Sequence, residues 1–179
     1  MGCSDEQLVL RVRDGDEAAF EAVYDRYAAG MLAFCRHLLG GPDEAEDALQ
    51  QSFARAYRAL REDVAPLSLK AWLYAIARNR CMTILAGRRE VIDLDAVRHA
   101  VRPAEDCYSA VQRRADVSDL VDDLRRLPDN QRAALVLFEL GGHSQDDIAE
   151  ILGVQRARIK ALVFQAREGL ARAREARAA

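Results

Sequence analysis

Gln155, Arg156, Arg158 and Lys160 crowd into the first turn and a half of one predicted helix, and their side chains suit nucleic acid. A guanidinium pairs bidentately with guanine, a carboxamide with adenine, and an ammonium serves best as a point charge on phosphate. Arg167 lies further along the same helix. From Gln155 to the C-terminus there are seven Lys or Arg against two Asp or Glu. A solvated helix face could carry the same bases with no partner. The segment in front of them weighs against that plainer reading.

That segment, "GHSQDDIAEILGVQRARIK" from Gly142 to Lys160, reads as two short helices meeting at Gly153. Ser144-Gln145-Asp146-Asp147 has the form of a capping box, which satisfies two amides at a helix start. Ile148, Ala149, Ile151 and Leu152 give the first helix an apolar side. Gly153 supplies a left-handed residue to end it, and Val154 can pack into the corner. At about 100° per residue, Ile159, Leu162, Val163, Ala166, Leu170 and Ala173 fall within one quadrant of the second helix. Arg156, Lys160 and Arg167 flank one edge of that stripe, Arg158 and Gln165 the other, and Phe164 lies nearly opposite. This is the helix-turn-helix pattern, whose second helix enters a DNA major groove N-terminus first.

A second stripe lies upstream. Trp72, Asn79 and Thr83 fall within about 40° of one another on a helix that Ser68 can cap. An aromatic and an amide together can hold an unstacked base while Arg78, Arg88 and Arg89 follow the backbone. A tryptophan at this spacing serves a core at least as well. Leu73, Ile76, Ala77 and Ile84 form the apolar side of that helix. Arg80 projects into it, where it needs an acid or a path to solvent.

The elements that must position these stripes are helical throughout. The periodicity predicts helices from about Asp5 to Arg13 and Glu17 to Leu39, with Gly15 and then Gly40-Gly41-Pro42 as breaks. Pro42 suits a first helical turn, and Ala45, Leu49, Phe53, Ala56 and Leu60 are the buried side of the helix it opens. After Pro66 a fourth helix runs from Ser68 to about Ala86, ended by Gly87. Downstream, Val117, Leu120, Val121, Leu124 and Leu127 line one helix. Pro128 opens another, with Ala133, Leu135, Val136, Phe138 and Leu140 apolar, closed by Gly141-Gly142. The last helix reaches about Arg174, beyond which an Ala/Arg tail is expected to fray. The fold class is all-α: two small four-helix domains, 1–90 and 113–179, joined by a flexible linker, 91–112.

Composition narrows the function. Of 179 residues 31% are charged and 50% apolar, which is globular, and the net charge of −3 leaves no general attraction for nucleic acid. Attraction must be local, as in Lys70–Arg89, which holds five bases and no acid. Cys3, Cys35, Cys81 and Cys107 lack ligand spacing, so no metal or cofactor is expected. The chain has no Gly-rich phosphate loop, catalytic carboxylate pair or nucleophile constellation, so no catalytic residue is assigned. With neither a signal peptide nor an apolar run of membrane length, a cytoplasmic protein without a membrane role is expected.

Three stretches in order, "DEAEDALQQSFARAYRAL", "AWLYAIARNR" and "LPDNQRAALVLFELGGHSQDDIAEILGVQRARIKALVFQAREGL", resemble the two-domain, extracytoplasmic-function (ECF) sigma factors of bacterial RNA polymerase. The resemblance implies a monomer whose first domain grips the clamp helices of the largest subunit of core RNA polymerase and captures melted −10 promoter DNA. The second domain would read the −35 duplex, and an anti-sigma protein would hold the whole inactive. By motif position Asp47, Gln50 and Phe53 belong to the clamp-binding region, although Phe53 also suits the core. The segment from Arg61 to Ser68 would receive a flipped −10 base, with Asn79 beside it. Gln51, Thr83, Ala86, Gly87 and Leu162 depart from the family's usual charges. The competing reading is a stand-alone regulator that binds an operator as a dimer.

Overall fold

The computed structural model describes residues 3–94 and 119–178. All described elements are helices: α1 (Asp5–Arg13), α2 (Glu17–Leu39), α3 (Pro42–Arg61), α4 (Leu69–Leu94), α5 (119–126), α6 (Asp129–Glu139), α7 (Gln145–Leu152) and α8 (Arg156–Ala178). The linker expected at 91–112 lies outside the described residues from 95 on, and its first four residues are the end of α4.

Local chemistry sets the ends. Ser4 and Gln7 cap α1 reciprocally, Asp16 accepts from the Ala19 amide at α2, and Pro42 occupies the first turn of α3. Gly40, at φ +79°, ends α2 in the left-handed conformation that L side chains resist. Ser68 accepts from the Ala71 amide at 3.2 Å and starts α4. The expected stop at Gly87 does not occur. Gly87 is absent from the positive-φ glycines, so it lies in α4 as an ordinary helical residue, at a cost of about 1 kcal/mol relative to alanine.

In the N-terminal unit Val23, Met31, Phe34 and Leu38 of α2 pack against Ala45, Leu49, Phe53, Ala56 and Leu60 of α3 and Leu73, Ala77 and Cys81 of α4. Each of these is at most 4% exposed. In the C-terminal unit Ala133, Leu137, Ile148, Ile151, Ile159 and Ala166 close a second centre. Phe138 and Leu140, expected inside, are instead exposed at the end of α6. The tail does not fray as expected: Arg177 is ion-paired with Asp119 at 3.1 Å and with Asp123, whose side chain is 2% exposed.

The two units also touch. Lys70 Nζ donates to Gly141 O at 2.9 Å, and Arg78 Nη2 donates to Asn130 Oδ1 at 2.7 Å. Arg125 Nη2 donates to Gly40 O at 3.0 Å. The Tyr74 ring meets the His143 ring edge-on, 4.4 Å between centroids. Thus α4 and α7 pack face to face, and the buried side chains of both units join in one cluster.

Candidate nucleic-acid interface

The hinge forms as the residues dictate. Ser144 Oγ accepts from the Asp147 amide at 3.1 Å, and Asp147 Oδ2 accepts from the Ser144 amide at 2.9 Å. The same contacts hold the Asp147 carboxyl below the usual carboxylate range, against the opposing effect of burial. Gly153 turns at φ +64°, and the Val154 amide reaches back to Ala149 O at 3.0 Å, closing the corner. Ile159, Leu162, Val163 and Ala166 then anchor α8 from beneath.

This leaves Gln155, Arg156, Arg158 and Lys160 exposed together at the start of α8, as expected. Arg156 is steadied by Asp146 across the hinge at 3.2 Å, with both side chains still about two-thirds exposed. Arg158 and Lys160 have no ion pair among the described residues and are open to a partner. Arg167 differs: it pairs with Glu139 and lies over the Phe138 ring at 5.8 Å, so its charge is already partly engaged. Phe164 is 64% exposed, again as the projection requires.

On α4 the expected stripe is only partly assembled. Asn79 and Thr83 are exposed and Trp72 is half-buried against the core. The Thr83 hydroxyl donates to Asn79 O at 3.0 Å. Arg78 and Arg88 are both engaged within the protein. Arg78 bridges the stripe to α6, with Nη1 donating to Asn79 Oδ1 at 3.1 Å and Nη2 to Asn130 Oδ1 at 2.7 Å. Arg88 donates to Leu39 O at 3.0 Å and pairs with Glu44, tying the end of α4 to α2 and α3. Its partners lie more than forty residues away in sequence, so helix projection alone could not find them. The Arg89 side chain lies outside the described residues.

Asp47 and Gln50 are exposed on α3, while Phe53 is buried with Phe20 and Tyr24 around its ring and braces that face from inside. Phe53 thus takes the core place that its spacing also allowed. The loop after α3 carries Asp63 at φ +78° and a fully exposed Leu67. Projection missed a groove of about 500 Å³ between α3 and α4, where Arg55 and Arg58 face Asn79, Arg80 and Thr83. The i, i+3 spacing of Arg55 and Arg58 was the available signal. Two other absences are of the described residues only: no group of three metal-ligating side chains occurs, and no helix is long and apolar enough to cross a membrane.

Fold and surface together define a two-unit helical protein ending in a helix-turn-helix. Residues 23–90 match the family Sigma-70 region 2, and residues 120–170 match Sigma-70, region 4. The RNA polymerase sigma-H factor of Pseudomonas aeruginosa is 31% identical over 94% of this chain and 93% of its own. The ECF RNA polymerase sigma factor SigM of Mycobacterium tuberculosis is 32% identical over 94% and 84%. Among solved structures, the sigma factor RpoE of Bartonella quintana, in complex with the anti-sigma factor NepR, has a TM-score of 0.69 at 30% identity over 87% of this chain and 96% of that one. CnrH, in complex with the cytosolic domain of CnrY, has a TM-score of 0.73 at 22% identity over 96% and 97%, a likeness of fold. The chain belongs to the ECF sigma factors of bacterial RNA polymerase.

Proposed function

We propose that this sigma factor acts as a monomer in the cytoplasm, docks on the clamp helices of core RNA polymerase and gives that enzyme its promoter choice. Asp47 and Gln50 on the open face of α3 make the clamp contact. Asn79 and Thr83, with the half-buried Trp72 behind them, meet the melted −10 strand. Gln155, Arg156, Arg158 and Lys160 enter the −35 major groove. An anti-sigma protein holds the factor inactive, in keeping with the complex that RpoE forms. The chain itself supplies recognition, and bond-making belongs to the polymerase.

The observation that carries this reading is the open cationic start of α8, set on a hinge at Gly153 and anchored by the buried Ile159 and Val163. In run-off transcription with core enzyme, Arg158→Ala with Lys160→Ala should reduce initiation at −35-dependent promoters about tenfold or more, since one base or phosphate contact is worth about 1–3 kcal/mol. Co-purification with core enzyme should be unchanged. Unaltered promoter selection would overturn the α8 assignment. A dimer that footprints a palindrome without polymerase would overturn the reading as a whole.

A further inference from the structure

A cavity of about 370 Å³ lies where the two units meet. Arg26 and His37 of α2 stand on one wall, Lys70 and Tyr74 of α4 on a second, and α6 with the turn behind it makes the third. Phe34, Val136, Leu137 and Leu140 give it an apolar side, and the lining includes no Asp or Glu. Two donors are left over in it. Tyr74 is 4% exposed, and its hydroxyl, which reaches Gly30 of the same lining, has no hydrogen-bond partner among the described residues. A buried phenol ordinarily finds one. Burial raises its pKa, so it stays protonated and able to donate. The Lys70 ammonium gives one of its three donors to Gly141 O at 2.9 Å and has no ion pair among the described residues. Arg26, by contrast, is already paired with Asp5. The cavity is short of one negative charge that can accept from Lys70 and Tyr74 together.

We propose that this cavity binds a small monocarboxylate with an apolar body, its oxygens on the Lys70 ammonium and the Tyr74 hydroxyl and its body against Phe34, Val136, Leu137 and Leu140. One uncompensated cation matches one carboxylate. A phosphate dianion would set a second negative charge beside Asp5, which already holds Arg26 and Tyr27. An uncharged apolar guest would leave both donors unmade. Size agrees as well. A dry cavity of about 150 Å³ takes benzene, so 370 Å³ holds a ring or a short chain together with its carboxylate. Because the walls come from both units, the ligand binds only while they are docked and stabilises that arrangement. It should therefore slow promoter engagement, a consequence that rests on the function proposed above, whereas binding itself does not.

The test is isothermal titration of the full chain with hydrocinnamate, and with hydrocinnamide as an uncharged body of the same shape. Hydrocinnamate should bind at one site, and hydrocinnamide about tenfold more weakly or worse. Ala33→Glu lies on the exposed side of α2 within the lining, so it should fold normally and abolish binding by repelling the carboxylate. Lys70→Gln should weaken binding about tenfold and Tyr74→Phe about fivefold. At about a hundredfold its Kd, hydrocinnamate should raise the melting temperature of wild type by about 5 °C or more and leave Ala33→Glu unmoved. In run-off transcription, hydrocinnamate added before core enzyme should reduce initiation by wild type and not by Ala33→Glu. No saturable binding, equal binding of acid and amide, or wild-type affinity in both Ala33→Glu and Lys70→Gln would each overturn the site. Binding with undiminished initiation would overturn its hold on the docked units. Failure to initiate even without ligand would overturn the function proposed above, and the titration alone would then decide the site.

Discussion

His143 shows how much one side chain can carry outside the recognition surface. It is 6% exposed, neither ring nitrogen has a hydrogen-bond partner, and its neighbours are Tyr74 and Lys70 of α4 and Asp147 of α7. Burial, with Lys70 adding to it and Asp147 opposing, lowers its pKa from the ordinary 6.5 to about 4. The folded protein therefore refuses a proton that the unfolded chain accepts between those values. Stability should be unaffected by this group above pH 6.5 and should fall as pH drops toward 4. By pH 5 the loss should reach about 2 kcal/mol relative to pH 7. Urea unfolding of wild type and His143→Phe at both pH values checks this. The variant should lose less on acidification, and equal losses would show that His143 takes up a proton as readily in the folded protein as in the unfolded chain. No local pattern announces this histidine's surroundings, because the ring it meets sits on another unit, 69 residues earlier.

At the scale of elements, the hinge between α7 and α8 was readable because its signals are local. A hydroxyl, an acid three residues on and a glycine each act within a turn of themselves. Gly153 needs its positive φ and has open space where a Cβ would stand. Gly153→Ala should therefore cost about 1–2 kcal/mol from backbone conformation alone, while Gly153→Asn should cost less. Thermal unfolding of the two variants separates them, and an equal effect would point to a packing cause. Gly30 is the converse case. A Cβ there would come within 2.5 Å of the Tyr74 hydroxyl, so Gly30 marks a close approach of α2 and α4 that no spacing rule announces. The same limit explains why the partners of Arg78 and Arg88 were not foreseen. Projection tells which way a side chain leaves its own helix, but what waits there depends on tertiary neighbours.

For the molecule as a whole, the contacts of Lys70, Arg78, Tyr74 and Arg125 hold the two units together in the free chain. A compact chain of this length has a radius of gyration of about 16 Å. Promoter elements about 25 base pairs apart are separated by about 85 Å at 3.4 Å per pair. The docked arrangement cannot reach both, so α4 and α7 must part when promoter DNA is engaged. Dyes on exposed positions of α3 and α8, Asp43→Cys and Glu168→Cys in a background with the native cysteines replaced, should transfer energy efficiently in the free protein. They should lose most of that transfer in holoenzyme on a promoter. Unchanged transfer would mean that both elements are not read at once.

The mooring of Arg177 to Asp119 and Asp123 reaches beyond the tail itself. Helix α8 is one continuous rod from Arg156 to Ala178, clasped at its far end by a carboxylate almost sealed from water. Trimming the chain after Arg174 would leave Asp123 with Arg126 alone, at 3.3 Å, and should cost about 1 kcal/mol. Slack introduced at that distal clasp would propagate along the rod to its exposed cationic tip. A purification tag is therefore better fused ahead of Ser4 than behind Arg177.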